Sequence, residues 1–233
     1  MAIRIYDLAG AEDDRRFSPY CWRIKMALAH KGLDYETIPW RFTETEAIAF
    51  SGCKTVPVIV DGERSVGDSW AIAEYLDATY PDKPALFEGA QARALAFFFK
   101  HWVERSVHLP LFRVILMDLY GHLHEKDKTY FRTSREKRFG VTLEQFSADP
   151  KASLAALRTA LDAARQAVLV HPYLSGTTPG FADYILFGAF QWARVMSPTR
   201  LLEPDDPMYA WRERLLDAHG GLARKAKGYP VWA

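Results

Sequence analysis

The feature that limits the fold most is a change of pattern at residues 81–84, where Pro81 and Pro84 bracket Asp82 and Lys83. Two prolines in four residues mark a linker, because proline fixes φ and lacks an N–H for helix or ladder. Before this point strand and helix signals alternate; after it only helical spacing is seen. Ile3-Arg4-Ile5-Tyr6 alternates apolar and polar residues, the period of a half-buried strand. Apolar residues at Trp22, Met26 and Ala29 give helical spacing over residues 18–31, ended by Gly32. Residues 35–38 predict a second strand and residues 44–50 a weak helix. Val58-Ile59-Val60, a turn at Asp61-Gly62 and Arg64-Ser65-Val66 predict a hairpin. Residues 68–80 predict another helix, with Trp70, Ile72, Ala73, Leu76 and Tyr80 on its apolar side. The order βαβαββα implies a small mixed sheet flanked by helices. Beyond the linker, helices are expected over residues 91–120 with a kink at Pro110, then 134–146, 152–170, 181–196 and 208–216. The expected fold class is therefore α/β plus all-α, with domains at residues 1–83 and 91–233.

Composition removes several function classes. Thirty basic residues against twenty-nine acidic ones leave a formal net charge of +1, which argues against a nucleic-acid partner or an electrostatically held membrane partner. No stretch reaches the ~20 apolar residues of a membrane span, and the opening segment carries Arg4 and Asp7 where a signal peptide is apolar. Two cysteines cannot build a disulfide framework, and no zinc-ligand spacing is present. A soluble, cytoplasmic protein without a metal is expected.

Three short motifs carry candidate chemistry. Ser18-Pro19 places an N-cap residue before a proline at the first helical position, directly after a strand. That is a good helix start in its own right. A helix N-terminus also favours an anion such as a thiolate. Thr55-Val56-Pro57 precedes the hairpin, and proline opening a strand marks an edge or a turn whose peptide bond can be cis. Asp68-Ser69 opens the next helix, as a cap or as a cradle for a ligand carboxylate.

Taken together and in this order, Ser-Pro-Tyr-Cys-Trp-Arg at 18–23, Thr-Val-Pro at 55–57 and Asp-Ser-Trp-Ala-Ile-Ala-Glu-Tyr-Leu at 68–76 resemble the glutathione S-transferase superfamily. The resemblance implies a thioredoxin-like first domain and an all-helical second domain that contributes the electrophile pocket. The long loop from Leu8 to Phe17, with Phe181-Ala182-Asp183-Tyr184 and Gln191-Trp192-Ala193, is most similar to bacterial β-etherase-like transferases and their fungal relatives. It implies glutathione as cosubstrate, a small apolar or aromatic electrophile such as an aryl ether, and a homodimer. Ser18 matches the position whose hydroxyl donates to the glutathione sulfur. Val56, before Pro57, matches the residue whose backbone pairs with the cysteinyl unit. Asp68 and Ser69 would hold the γ-glutamyl end and Lys54 the glycine carboxylate. Asp183 matches a buried structural aspartate near a helix start, where Gly180 leaves the capping box incomplete. Phe17, Tyr20, Tyr120 and Trp192 are the candidate pocket walls.

Other readings stay open beside this one. The family also contains isomerases of the maleylacetoacetate type, disulfide reductases and scaffolds without turnover. Ser18 stands where a glutaredoxin-like Cys-Pro-Tyr-Cys has its attacking thiol, which removes two-thiol chemistry. Cys21 is read as a small packing residue and Cys53 as structural. The basic runs Arg132, Arg135, Lys137, Arg138 and Arg224, Lys225, Lys227 are read as solvated faces. Phe97, Phe98, Phe99, Trp102 and Phe112 are assigned mostly to the helical core, and His101, His108, His122 and His124 fit no metal motif.

Overall fold

A computed structural model describes residues 2–230. Strands β1 (Ile3–Leu8), β2 (Tyr35–Trp40), β3 (Val58–Asp61) and β4 (Arg64–Gly67) form one sheet in the order β2-β1-β3-β4. β1 and β2 are parallel, with Ile3 opposite Tyr35. β1–β3 and β3–β4 are antiparallel, with Ile5 opposite Ile59 and Asp61 opposite Arg64. The hairpin turn is therefore centred on Gly62-Glu63, one residue later than expected, and Gly62 at φ 59° supplies its left-handed first position. β2 runs two residues further than expected, through Pro39; an edge strand tolerates the missing N–H.

Helices α1 (Pro19–His30) and α2 (Ser69–Thr79) cover the sheet. The stretch at 45–51 is a 3-10 helix, not an α-helix, and Gly52 ends it in the left-handed region at φ 70°. The second domain contains α3 (Gly89–Trp102), α4 (His108–His122), α5 (Glu125–Phe139), α6 (Leu143–Phe146), α7 (Pro150–Ala160), α8 (Asp162–Val170), α9 (Phe181–Met196) and α10 (Pro207–Lys225). The irregularity expected at Pro110 lies just before it, as a π-helical turn over Val103–Val107. The proline ring crowds the carbonyl four residues back and cannot donate to it.

Three other expected helices change shape. The 134–146 helix starts earlier, at Glu125, and stops at Gly140 (φ 73°). Thr142 then starts α6, its hydroxyl accepting from Gln145 N–H while Gln145 reaches back to the Thr142 N–H. The 152–170 helix is divided at Leu161. The last helix extends to Lys225 across a non-helical break at Ala218–Gly221.

The core lies where α1 meets the sheet on one side and α9 on the other. Nine of the twelve residues of α1 are buried, including Arg23 and Lys25. Those charges are paired, Lys25 with Asp7 at 2.8 Å and Arg23 with Glu104 at 2.9 Å, as buried charges must be. Ile185, Leu186 and Phe187 of α9 are fully buried, each contributing about 1.5–3 kcal/mol by burial. A Cβ on Gly188 would stand 2.3 Å from the Pro19 carbonyl oxygen, so only glycine lets α9 approach the start of α1 this closely. The second domain thus fixes the helix that carries Ser18. Among the described residues, no helix is long and apolar enough to cross a membrane.

Candidate functional site

The loop between β1 and α1 folds back on itself. Gly10 N–H donates to Arg15 O, Phe17 N–H to Leu8 O, and Ala11 N–H to His122 O at the end of α4. The return sets Ser18 as N-cap of α1, its Oγ accepting from Cys21 N–H at 3.2 Å, with Pro19 at the first helical position. A hydroxyl has two lone pairs and one proton. Capping occupies a lone pair and leaves the proton to donate elsewhere. Ser18 is 3% exposed and lines a cavity of about 430 Å³.

Two further loops meet at the same end of the sheet. The Val56–Pro57 bond is cis, and the β3 ladder begins only at Val58, which leaves the Val56 backbone outside it. A Cβ on Gly67 would lie 2.1 Å from Cys53 Sγ, so the absent side chain lets the 52–56 loop pack against the end of β4. Asp68 follows at φ 68°, and its Oδ1 accepts from Trp70 N–H (2.9 Å) and Ala71 N–H (3.1 Å), capping α2. Ser69 is buried beside it. Helices α1 and α2 pack against each other.

Of the sequence-predicted residues, Phe17, Ser18, Tyr20, Val56 and Trp192 line the cavity together. Lys54, Pro57, Asp68 and Ser69 are not part of its lining; Lys54 and Asp68 are exposed. Tyr120 does not join them. Its ring lies behind the lining, 6.2 Å from Phe131 and under Arg132 at 4.9 Å.

Several lining residues carry no local sequence signal. Phe42 packs 6.3 Å from Phe17 and 5.6 Å from Phe131; Phe112 stacks on Trp192 at 5.5 Å; His108 sits edge-on between Tyr20 (5.6 Å) and Trp192 (5.8 Å). Burial lowers the His108 pKa to about 3, with the Arg23 and Lys100 charges adding to it, so the imidazole is neutral. Burial would raise the Glu104 carboxyl, but hydrogen bonds from Arg23 and Lys100 outweigh this and hold it ionised. Burial keeps the Tyr20 phenol protonated.

Two readings of side-chain placement change. Arg135, expected on a solvated face, is half-buried in the cavity wall; Arg138 also lines the cavity but keeps the exposure expected of it. Phe131, Arg135, Arg138 and Phe139 fall at i, i+4, i+7 and i+8, one stripe of a helix, which is the signal that reveals them. Phe97 and Phe98 are 45% and 70% exposed rather than core. Cys21 is fully buried, and desolvation with the nearby Asp7 charge pushes its thiol well above the ordinary range, which suits a packing residue. Among the described residues no group of three or more His, Cys, Asp or Glu is placed to hold a metal.

Comparison with known proteins gives matches at both ends of the chain. Family models described as the N-terminal and C-terminal domains of glutathione S-transferase match residues 14–84 and 94–215. Glutathione S-transferase Z2 of Arabidopsis thaliana is 38% identical over 132 residues, covering 53% of this chain and 57% of that protein. A probable glutathione S-transferase, GSTU6, of Oryza sativa is 25% identical over 210 residues, covering 84% and 80%. The chain spans about half the length, or less, of the first curated relatives it matches. The crystal structure of glutathione transferase GSTFuA3 from Phanerochaete chrysosporium aligns with TM-score 0.84 at 27% identity, over 92% of this chain and 96% of that one. A Ceriporiopsis subvermispora transferase, CsGST83044, crystallised in complex with glutathione, shares the fold with TM-score 0.78 at 24% identity, over 94% and 98%.

Proposed function

The chain belongs to the glutathione S-transferase family, and on that premise we propose that it binds glutathione, holds its sulfur as thiolate through the Ser18 hydroxyl and transfers it to a small aromatic electrophile. The observation that carries the reading is Ser18 itself: buried at the N-terminus of α1, capping through a lone pair, and lining the cavity. Val56 would pair its backbone with the cysteinyl unit as a short added strand. Asp68 would meet the γ-glutamyl ammonium, Ser69 at the N-terminus of α2 its carboxylate, and the exposed Lys54 the glycine carboxylate.

The gain in acidity can be sized. A thiol of pKa ~8.5 gains roughly 1.5–3 kcal/mol from a hydrogen bond to its charged form and up to about 2 kcal/mol from a helix N-terminus. Burial in the apolar cavity opposes both, so a fall of roughly two units remains at 1.36 kcal/mol per unit. The thiol proton leaves to solvent. The thiolate electron pair then forms the C–S bond, and the leaving group departs with the pair of its broken bond. In the sharper form of the proposal that group is an aryloxide released from an aryl ether; the aromatic walls from Phe42, Phe112 and Trp192 favour such a ring. The cytoplasm, with its pool of reduced glutathione, suits this activity. The exposed Leu95 and Phe98 of α3 supply an apolar face for the homodimer.

The test is the ultraviolet absorbance of the thiolate against pH, for glutathione bound to wild type and to Ser18→Ala. The expected result is a bound pKa one to two units below the free thiol, largely restored by the substitution. An unshifted pKa in the wild-type complex would overturn the mechanism.

A further inference from the structure

Arg135 is the unusual charge in this molecule. Its neighbour Arg132, one turn back on α5, is paired with Glu136 at 2.9 Å and Glu144 at 2.8 Å; Arg165 and Arg224 likewise hold two acids each. Arg135 is half-buried, and among the described residues neither it nor Arg138 has a carboxylate within ion-pair distance. The Arg135 guanidinium lies over the rings of Phe131 (4.4 Å) and Phe42 (5.0 Å); its polar partners are Ser134 Oγ, at 2.8 Å, and Tyr130. A guanidinium offers five donors, so most of this one is uncommitted in a place that has lost water.

Two other features of the same cavity point the same way. The one acid in its lining, Glu104, is already held by Arg23 at 2.9 Å and Lys100 at 3.0 Å, so it does not compete for Arg135. Trp192 Nε1, a donor only, is buried without a hydrogen-bond partner while its ring lines the cavity. The space beyond Ser18 is therefore aromatic on its walls, positive at the α5 side, and supplied with unused donors.

We propose that Arg135 and Arg138 select an electrophile that is an aromatic ring bearing an anionic group, a carboxylate or its equivalent. The ring lies among Phe42, Phe112 and Trp192, and the anion meets the two guanidinium groups. This deepens the transferase reading above and rests on it for the statement that the cavity takes the acceptor. The arginines do not act on the reacting carbon; they fix the far end of the substrate and so place that carbon before the sulfur. Loss of a paired anion in a part-buried site is expected to cost about tenfold in affinity, or about 1.4 kcal/mol.

The experiment compares a chloronitrobenzoate with the corresponding chloronitrobenzamide, the same ring with and without the charge. Isothermal titration without glutathione, where neither compound reacts, is run on wild type, on Arg135→Gln/Arg138→Gln and on Arg135→Lys/Arg138→Lys. Wild type should bind the benzoate about tenfold tighter than the benzamide. The glutamine variant should lose that preference and still bind the benzamide, and the lysine variant should keep part of it. A benzoate that does not bind wild type, binds no better than the benzamide, or keeps its advantage in the glutamine variant overturns the proposal. Turnover with glutathione is then measured on the same pair. An arginine-dependent preference in binding with no turnover of either compound would uphold the anion site and overturn the transferase reading, which keeps the two failures apart.

Discussion

Replacing Asp183 tests whether one buried carboxylate holds the second domain together. It stands at N3 of α9, fully buried, and accepts four hydrogen bonds. Oδ1 takes Leu174 N–H and Trp211 Nε1–H, both at 2.8 Å; Oδ2 takes Ser175 N–H and Gly180 N–H, both at 3.1 Å. Gly180 has no side chain to complete a reciprocal cap, so all of this restraint comes from the carboxylate. In Asp183→Asn, whichever oxygen becomes the amide, two N–H donors lose their acceptor and face another donor. At roughly 1.5–3 kcal/mol for each hydrogen bond to a charged group, the cost is about 3 kcal/mol or more. Asp183→Ala strands all four donors. Water entering the vacated space limits its cost to about 4–5 kcal/mol, already at the extreme of single substitutions. The assay is equilibrium urea unfolding at fixed protein concentration, followed by tryptophan fluorescence and far-ultraviolet circular dichroism. With an m-value of roughly 2–3 kcal/mol per molar, the Asn variant should lose about 1–1.5 M from its midpoint. An Asn variant within about 0.5 kcal/mol of wild type would refute the reasoning, since that is the range of an inert surface substitution.

Gly188→Ala drives a methyl group to 2.3 Å from the Pro19 carbonyl, so it should cost about 1–3 kcal/mol and weaken thiolate formation by moving Ser18; both unchanged would sink the claim that α9 sets α1. Stability should fall as pH drops from above 6.5. Burial holds His108 and His219 neutral, with folded pKa values of about 3 and about 4 against 6.5, and His30 is lowered in the same way. The unfolded chain therefore binds protons first, and stability present above pH 6.5 is lost progressively down to the folded values; urea midpoints equal at pH 7 and pH 5 would contradict this. Tyr184 hydroxyl links His30 Nδ1 (2.8 Å) and His219 Nε2 (3.0 Å) across the domain seam, while His30 Nε2 donates to Ala85 O. His219→Asn, tolerated at φ 52°, should flatten the acid part of the profile. An aromatic disulfide reagent should label at most Cys53 in the folded protein and both cysteines in denaturant; rapid labelling of Cys21 would exclude its buried, protonated state.

Local hydrogen bonding was legible in the sequence. Ser18 before Pro19, Asp68 before α2 and Gly62 in the hairpin each satisfy neighbours only a few residues away, so residue type and position were enough to place them. The strand–helix order and the change at residues 81–84 followed from the same short-range physics. What closes a helix was harder to read: Gly140 and Thr142 divide α5 from α6, and the π-helical turn precedes Pro110, because each break is a balance between local propensity and packing. The cavity was legible only in part: Phe17, Tyr20 and Trp192 were expected in its wall, whereas Phe42, His108, Arg135 and Arg138 were not. Phe42 follows β2, His108 starts α4, Arg135 and Arg138 lie on α5 and Trp192 on α9. A charged stripe reads as a solvated face until the tertiary structure decides what stands opposite it. For Arg132 that is two glutamates and water, while for Arg135 it is an aromatic cavity, because burial and charge pairing depend on chain segments distant in sequence.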